Sequence, residues 1–132
     1  MSALPDVAAA DYELTVPLPA SLPSPNSRMH WRVRARLTRD IRQQTAILLR
    51  SEMTRLGVPE APGRRTLRLT RIYSPRRKLM DADNLTASVK PCLDAARDAR
   101  LIVDDRPGAL RLLPVEQEKA DRAALRVEVW EG

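Results

Sequence analysis

Between Ile41 and Leu56 the residues Ile41, Thr45, Leu48, Leu49, Met53 and Leu56 recur at helical spacing, and nothing else in the chain constrains its fold as tightly. A helix with one apolar stripe needs a surface to cover. Thr38 is the expected N-cap, and Asp40 falls in the first turn, where the helix dipole favours an acid. Gly57 supplies the stop and Pro59 prevents continuation. Arg39, Arg42, Gln43, Arg50 and Glu52 fall on the opposite face.

The surface is expected from segments of period two. Leu14–Pro19 alternates and reads as an edge strand, because prolines follow it. Thr66–Tyr73 sets Leu67, Leu69 and more weakly Ile72 against Arg68, Thr70 and Arg71. Leu110–Val115 and Ala123–Trp130 read as two more strands joined by a polar turn, Glu116–Arg122. A second helix is expected over roughly Leu85–Ala99, with Leu85, Val89, Cys92, Leu93 and Ala96 inward. Ala20–Arg36 holds Pro23, Pro25, Asn26 and a basic run, has no convincing period, and is expected to be a long functional loop. The order β-α-β-α-β-β predicts an α+β fold with an α/β-type mixed sheet, a single small domain with its helices packed on the sheet. Residues 1–13 read as a flexible leader and 14–132 as the domain.

A chain of 132 residues suits one core. No apolar run approaches the roughly 20 residues that a membrane-spanning helix requires. The first residues carry acids where a signal peptide needs a basic start. The single cysteine, Cys92, excludes an internal disulfide and fits a reducing cytoplasm. The balance is basic, 23 Lys and Arg against 17 Asp and Glu, a formal charge of +6. Only Lys78, Lys90 and Lys119 are lysines; the rest are arginines, whose planar fork suits phosphate. An acidic partner such as nucleic acid follows as an expectation.

Within this basic chain the segment Asp81-Ala82-Asp83-Asn84-Leu85 and the pair Asp104-Asp105 concentrate four carboxylates near the two ends of the second helical region. Carboxylates brought together by folding repel unless a cation neutralises them, and Mg2+ prefers such oxygens. Arginines around such a site describe metal-assisted phosphodiester hydrolysis. The alternative is structural: Asp83 or Asn84 could start a helix, and Asp104-Asp105-Arg106-Pro107-Gly108 reads as an ordinary turn. A phosphatase motif D-x-D-x-T does not fit, because Leu85 stands at the Thr position.

At these residues the chain resembles the RusA family of Holliday junction endonucleases. The resemblance rests on D-x-D-N-L (Asp81, Asp83, Asn84, Leu85), a lysine, L-D-A (Leu93, Asp94, Ala95) and I-V-D-D (Ile102 to Asp105), and spans about Leu14 to Trp130. It implies a RusA-like nuclease domain over 14–132, with Asp81, Asp83 and Asp105 as essential carboxylates, Asp104 beside them as a further metal ligand, and Lys90 as the catalytic lysine. The family's lysine lies four residues after the second Asp, where this chain has Ala87; Lys90 keeps the family's distance to Asp94 instead. The resemblance further implies Mg2+ as cofactor (Mn2+ substituting), a homodimer, and a four-way DNA junction as partner. Asn26, Arg28, Arg32, Arg34, Arg36, Arg76, Arg77 and Lys78 are the expected DNA contacts. His30, the single histidine, is either a catalytic group or a polar loop contact. Trp31 either stacks on a base or anchors a core or dimer face.

The expected activity is therefore a crossover junction endodeoxyribonuclease of recombination and repair, cytoplasmic and encoded by a bacterium or phage. The rivals are a non-catalytic DNA-binding or architectural protein, and a metal-dependent nuclease for other branched or hybrid nucleic acids.

Overall fold

A computed structural model describes residues 8–18, 30–75 and 78–131. In it the stripe of the long helix, reduced to Ile41, Thr45, Leu49 and Met53, lies buried over one face of a five-stranded sheet. The elements run β1 (Tyr12–Pro17), α1 (Trp31–Leu56), β2 (Arg65–Tyr73), α2 (Ala82–Ser88), α3 (Lys90–Asp98), β3 (Leu110–Leu112), β4 (Glu116–Lys119) and β5 (Ala124–Trp130). The α+β architecture and the mixed sheet match the expectation from sequence.

Strands β1, β5 and β2 are antiparallel neighbours, with β1 at the edge. Both β3 and β4 run parallel to β2 along its other side. Parallel neighbours need a long crossover, and α2 with α3 forms it. The register against β2 slips by one residue between β3 and β4, so Leu113–Val115 makes a bulge between two pieces of one interrupted strand. The segment expected as a polar turn, Glu116–Arg122, thus contains β4. Its charged side chains gave no apolar alternation to read.

Rows of side chains cross the helix-covered face in register. Tyr12, Val129 and Leu67 form one, Leu14, Val127 and Leu69 the next, and Val16, Leu125 and Arg71 the third. The Leu and Val members of these rows are at most 1% exposed. Removing each from water contributes about 1.5–3 kcal/mol. Arg71 belongs to this inner set and not with Arg68 on the outer one, because period two from Leu67 and Leu69 leads to position 71. On the opposite face Arg68 pairs with Glu128 at 2.8 Å and Arg126 with Glu118 at 2.8 Å.

Three boundaries differ from expectation. Trp31–Arg36 belongs to the start of α1 and not to a loop, and His30, not Thr38, caps it, its Nδ1 accepting from the Arg32 amide at 3.1 Å. Apolar periodicity reports burial, and none of the residues from Trp31 to Asp40 is buried. The second helical region is split at Val89 because Pro91, near the start of α3, has no amide to bond back to Ala87. The chain is ordered into the sheet before Leu14. Tyr12 and Glu13 pair with β5, Asp11 N–H donates to Val129 O at 2.8 Å, and Trp130 Nε1 donates to Ala8 O at 2.7 Å.

Helix ends are closed by left-handed residues. Gly57 (φ 71°) ends α1 with Val58 N–H donating to Met53 O at 2.8 Å. After α3 the same position is filled by Arg100 (φ 64°), and Leu101 N–H donates to Ala96 O at 2.9 Å. Arg65, 1% exposed, is satisfied by Glu131 at 2.6 Å and by Leu101 O at 3.0 Å. Helix α1 is fastened to α3 by Arg42, whose guanidinium makes two bonds with the Asp98 carboxylate at 2.6 and 2.9 Å.

Candidate active site

After β2 the chain leaves the sheet and forms α2, and the acidic segment opens that helix. Asp81 is the N-cap: Oδ1 accepts from the Asn84 amide at 2.9 Å and Oδ2 from Asn84 Nδ2 at 3.1 Å. The cap is thus Asp81, and not Asp83 or Asn84 as the sequence alone suggests. Asp83 stands exposed in the first turn, its carboxylate making no hydrogen bond or ion pair with the described residues. Leu85, 3% exposed, anchors this turn to the interior.

Lys90 opens α3, and its ammonium bridges two carboxylates. Nζ lies 2.9 Å from Asp94 Oδ1, one helical turn on, and 2.8 Å from Asp105 Oδ2, fifteen residues away. Buried Leu101 and Ile102 pin the chain just before the acidic pair. Hydrogen bonds to Asp105 and then Asp94 push the Lys90 pKa above the ordinary lysine value. Lys90 in turn, followed by a bond involving Asp104, holds the Asp105 carboxyl below the usual aspartate range. An ammonium of this kind stays charged at neutral pH, which suits it to stabilising anionic oxygens and not to donating a proton.

Asp104 is turned to other partners. Its Oδ1 accepts from the Asp105 amide at 2.8 Å, and its oxygens lie 3.6 Å from Arg97 Nη1 and 3.7 Å from Arg106 Nε. Folding thus brings together Lys90, Asp94 and Asp105. Among the described residues no three His, Cys, Asp or Glu side chains are gathered into a group that could hold a metal ion. The oxygens of Asp81, Asp83, Asp104 and Asp105 are the hard donors that Mg2+ takes. As the side chains stand, they do not close into one ligand set.

The expected DNA contacts divide between two places. Arg32 and Arg36 are exposed on the first turns of α1, one turn apart, and Arg34 is half-buried between them. The Arg32 guanidinium lies 5.2 Å from the Trp31 ring centroid, and the His30 ring stacks on Trp31 at 5.8 Å. Trp31 is 66% exposed, so it is no part of the core. Lys78 is exposed. Asn26, Arg28, Arg76 and Arg77 lie outside the described residues.

Two further residues bear on the acidic segment. The Gln117 side chain on β4 takes the Met80 amide at 2.9 Å and gives to the Met80 carbonyl at 2.7 Å. Arg71 Nη1 donates to Met80 Sδ at 3.1 Å and to Ser88 Oγ at 2.9 Å, and its guanidinium lies 4.5 Å from the Tyr73 ring centroid. The period-two parity of β2 is the sequence signal for Arg71. Nothing local marks Gln117. Cys92 is buried, and burial pushes its thiol pKa up to about 12, so it is no nucleophile.

Fold and site together describe a small α+β domain with one helix-covered sheet and a lysine–carboxylate cluster at the start of its third helix. No family model matches the chain. It is similar to an uncharacterized protein of the bacterium Xylella fastidiosa (strain Temecula1 / ATCC 700964), 37% identical over 94 residues, covering 70% of this chain. The matched region spans 60% of that protein's length. No helix among the described residues is long and apolar enough to cross a membrane.

Proposed function

We propose that the protein is a Mg2+-dependent, structure-selective DNA endonuclease that resolves four-way junctions by paired strand cleavage in recombination and repair. It would act as a homodimer in the cytoplasm of a bacterium or as a phage product. The observation that carries this reading is the seat of Lys90 on Asp105 at 2.8 Å, which joins the lysine to the carboxylate that closes the acidic pattern. In this reading Asp81, Asp83 and Asp105 would hold Mg2+ (Mn2+ substituting), with Asp104 beside them, once their side chains turn toward one point. The metal, when bound, activates water and offsets charge at the scissile phosphate. Lys90 supplies a fixed positive charge for the phosphoryl oxygens, and Asp94 keeps its ammonium in place. Arg32, Arg34, Arg36 and Lys78, with Asn26, Arg28, Arg76 and Arg77, bind the DNA backbone.

A second reading, a DNA-binding protein without catalysis, is favoured by Asp81 acting as a cap and Asp104 lying between Arg97 and Arg106. A panel of junction, flap, duplex and RNA hybrid, incubated with Mg2+ and then with EDTA, separates the two. Paired, EDTA-sensitive nicks in the junction support the nuclease. Tight, salt-sensitive binding with no cut in any substrate supports the second reading.

A further inference from the structure

We propose that Gln117 is the positioning residue of the acidic segment, its side-chain amide fixing the backbone from which Asp81 and Asp83 are presented. The inference rests on the nuclease reading for its catalytic consequence and on geometry for the rest. Met80 immediately precedes the cap residue Asp81, in a stretch outside any helix or strand. A residue in such a stretch has no ladder partner for its N–H and C=O. Gln117 supplies both missing bonds, accepting from Met80 N–H at 2.9 Å and donating to Met80 C=O at 2.7 Å. A side-chain amide that meets one residue's N–H and C=O acts as a single rung of sheet, holding that residue in place and orientation.

Gln117 is itself held. It pairs with Arg71 across β4 and β2, and Arg71 reaches the same methionine through its sulfur. Arg71 also grips Ser88, whose hydroxyl donates to Leu85 O at 2.8 Å near the other end of α2. Two adjacent side chains on neighbouring strands therefore fix α2 at both ends. Asp81 and Asp83 project from the end that Gln117 controls. Glutamine is suited to this contact because it carries a donor and an acceptor on one rigid plane. Glutamate would keep the acceptor and set a negative oxygen against the Met80 carbonyl. Leucine would keep the volume and leave both Met80 groups without their partner.

The test compares wild type, Gln117→Leu and Gln117→Glu. Amide exchange at Met80 is expected to speed up at least about tenfold in Gln117→Leu, with the core strands unchanged. Mg2+ binding followed by calorimetry is expected to weaken about 10- to 100-fold, as for other groups that orient metal ligands. The Mg2+ needed for half-maximal junction cleavage should rise in step, and saturating Mg2+ should restore most of the maximal rate. Metal-free junction binding should not change. Gln117→Glu should fall between the two, which keeps the test decisive if the leucine variant folds poorly. Wild-type Met80 exchange, or wild-type Mg2+ affinity in both variants, overturns the proposal. A lowered melting temperature with unchanged Mg2+ dependence also overturns it, because that is the mark of a merely structural residue. A wild-type protein that binds no Mg2+ and cuts no DNA defeats the nuclease reading, while amide exchange at Met80 still decides whether Gln117 fixes the segment.

Discussion

Lys90 Nζ sits 2.8 Å from Asp105 Oδ2, although one opens α3 and the other lies in the loop beyond its end. The two meet because α3 is only nine residues long and the chain turns back at once through Arg100 into the buried Leu101 and Ile102. The pair is charged on both sides through the whole neutral range. Its two titrations act in opposite directions. The depressed Asp105 pKa favours the folded state above the ordinary carboxyl value, and that contribution is lost as pH falls through the folded-state value. The raised Lys90 pKa favours it below the ordinary lysine value, and that contribution is lost as pH rises through the folded-state value.

Lys90→Met is therefore expected to return the Asp105 titration upward toward the ordinary aspartate value of about 3.9, as followed by carboxyl carbon NMR. The same variant should slow single-turnover junction cleavage by about 10²–10³, the loss seen when one stabilising donor is removed from a developing anion. Junction affinity should be nearly unchanged. An Asp105 titration that does not move would contradict the ion pair.

The Asp81 carboxylate is both a helix cap and a proposed metal ligand, and two substitutions separate those roles. Asparagine caps as well as aspartate, so Asp81→Asn should melt within about 0.5 kcal/mol of wild type yet lose cleavage. Asp81→Ala should lose cleavage and about 1 kcal/mol as well. Full cutting by Asp81→Asn would remove Asp81 from the catalytic set.

Arg100 occupies a left-handed position (φ 64°) that favours glycine. Arg100→Gly is expected to stabilise the fold by about 1 kcal/mol, measured as a higher denaturant midpoint at constant slope. A lower midpoint would mean that the arginine side chain contributes more than the backbone strain costs.

Arg32 and Arg36, one turn apart on the exposed start of α1, are expected to contact DNA phosphates. Each change to alanine should reduce the slope of log affinity against log salt by about one and weaken junction and duplex alike. An unchanged slope would place the backbone contacts elsewhere.

The buried stripe of α1, the strands β1, β2 and β5 and the stop at Gly57 were legible in the sequence because each repeats a period that burial imposes. So was the acidic pattern with its lysine, since residue types at fixed spacing need no coordinates to be seen. The first turns of α1 were not legible: arginine, alanine and leucine sustain a helix that buries nothing, and periodicity is silent where no surface is covered. Nor was β4, whose charged residues form a strand only because β2 offers an open edge. Above all, the partners of the acids were decided by tertiary structure. The sequence alone determined that Asp81, Asp83, Lys90, Asp104 and Asp105 are present in order. Only folding set Lys90 between Asp94 and Asp105, turned Asp104 toward Arg97 and Arg106, and placed Gln117 against Met80 across 37 residues of chain. Those contacts depend on distances between elements, and the paths of a sheet and its crossover fix such distances where local spacing cannot.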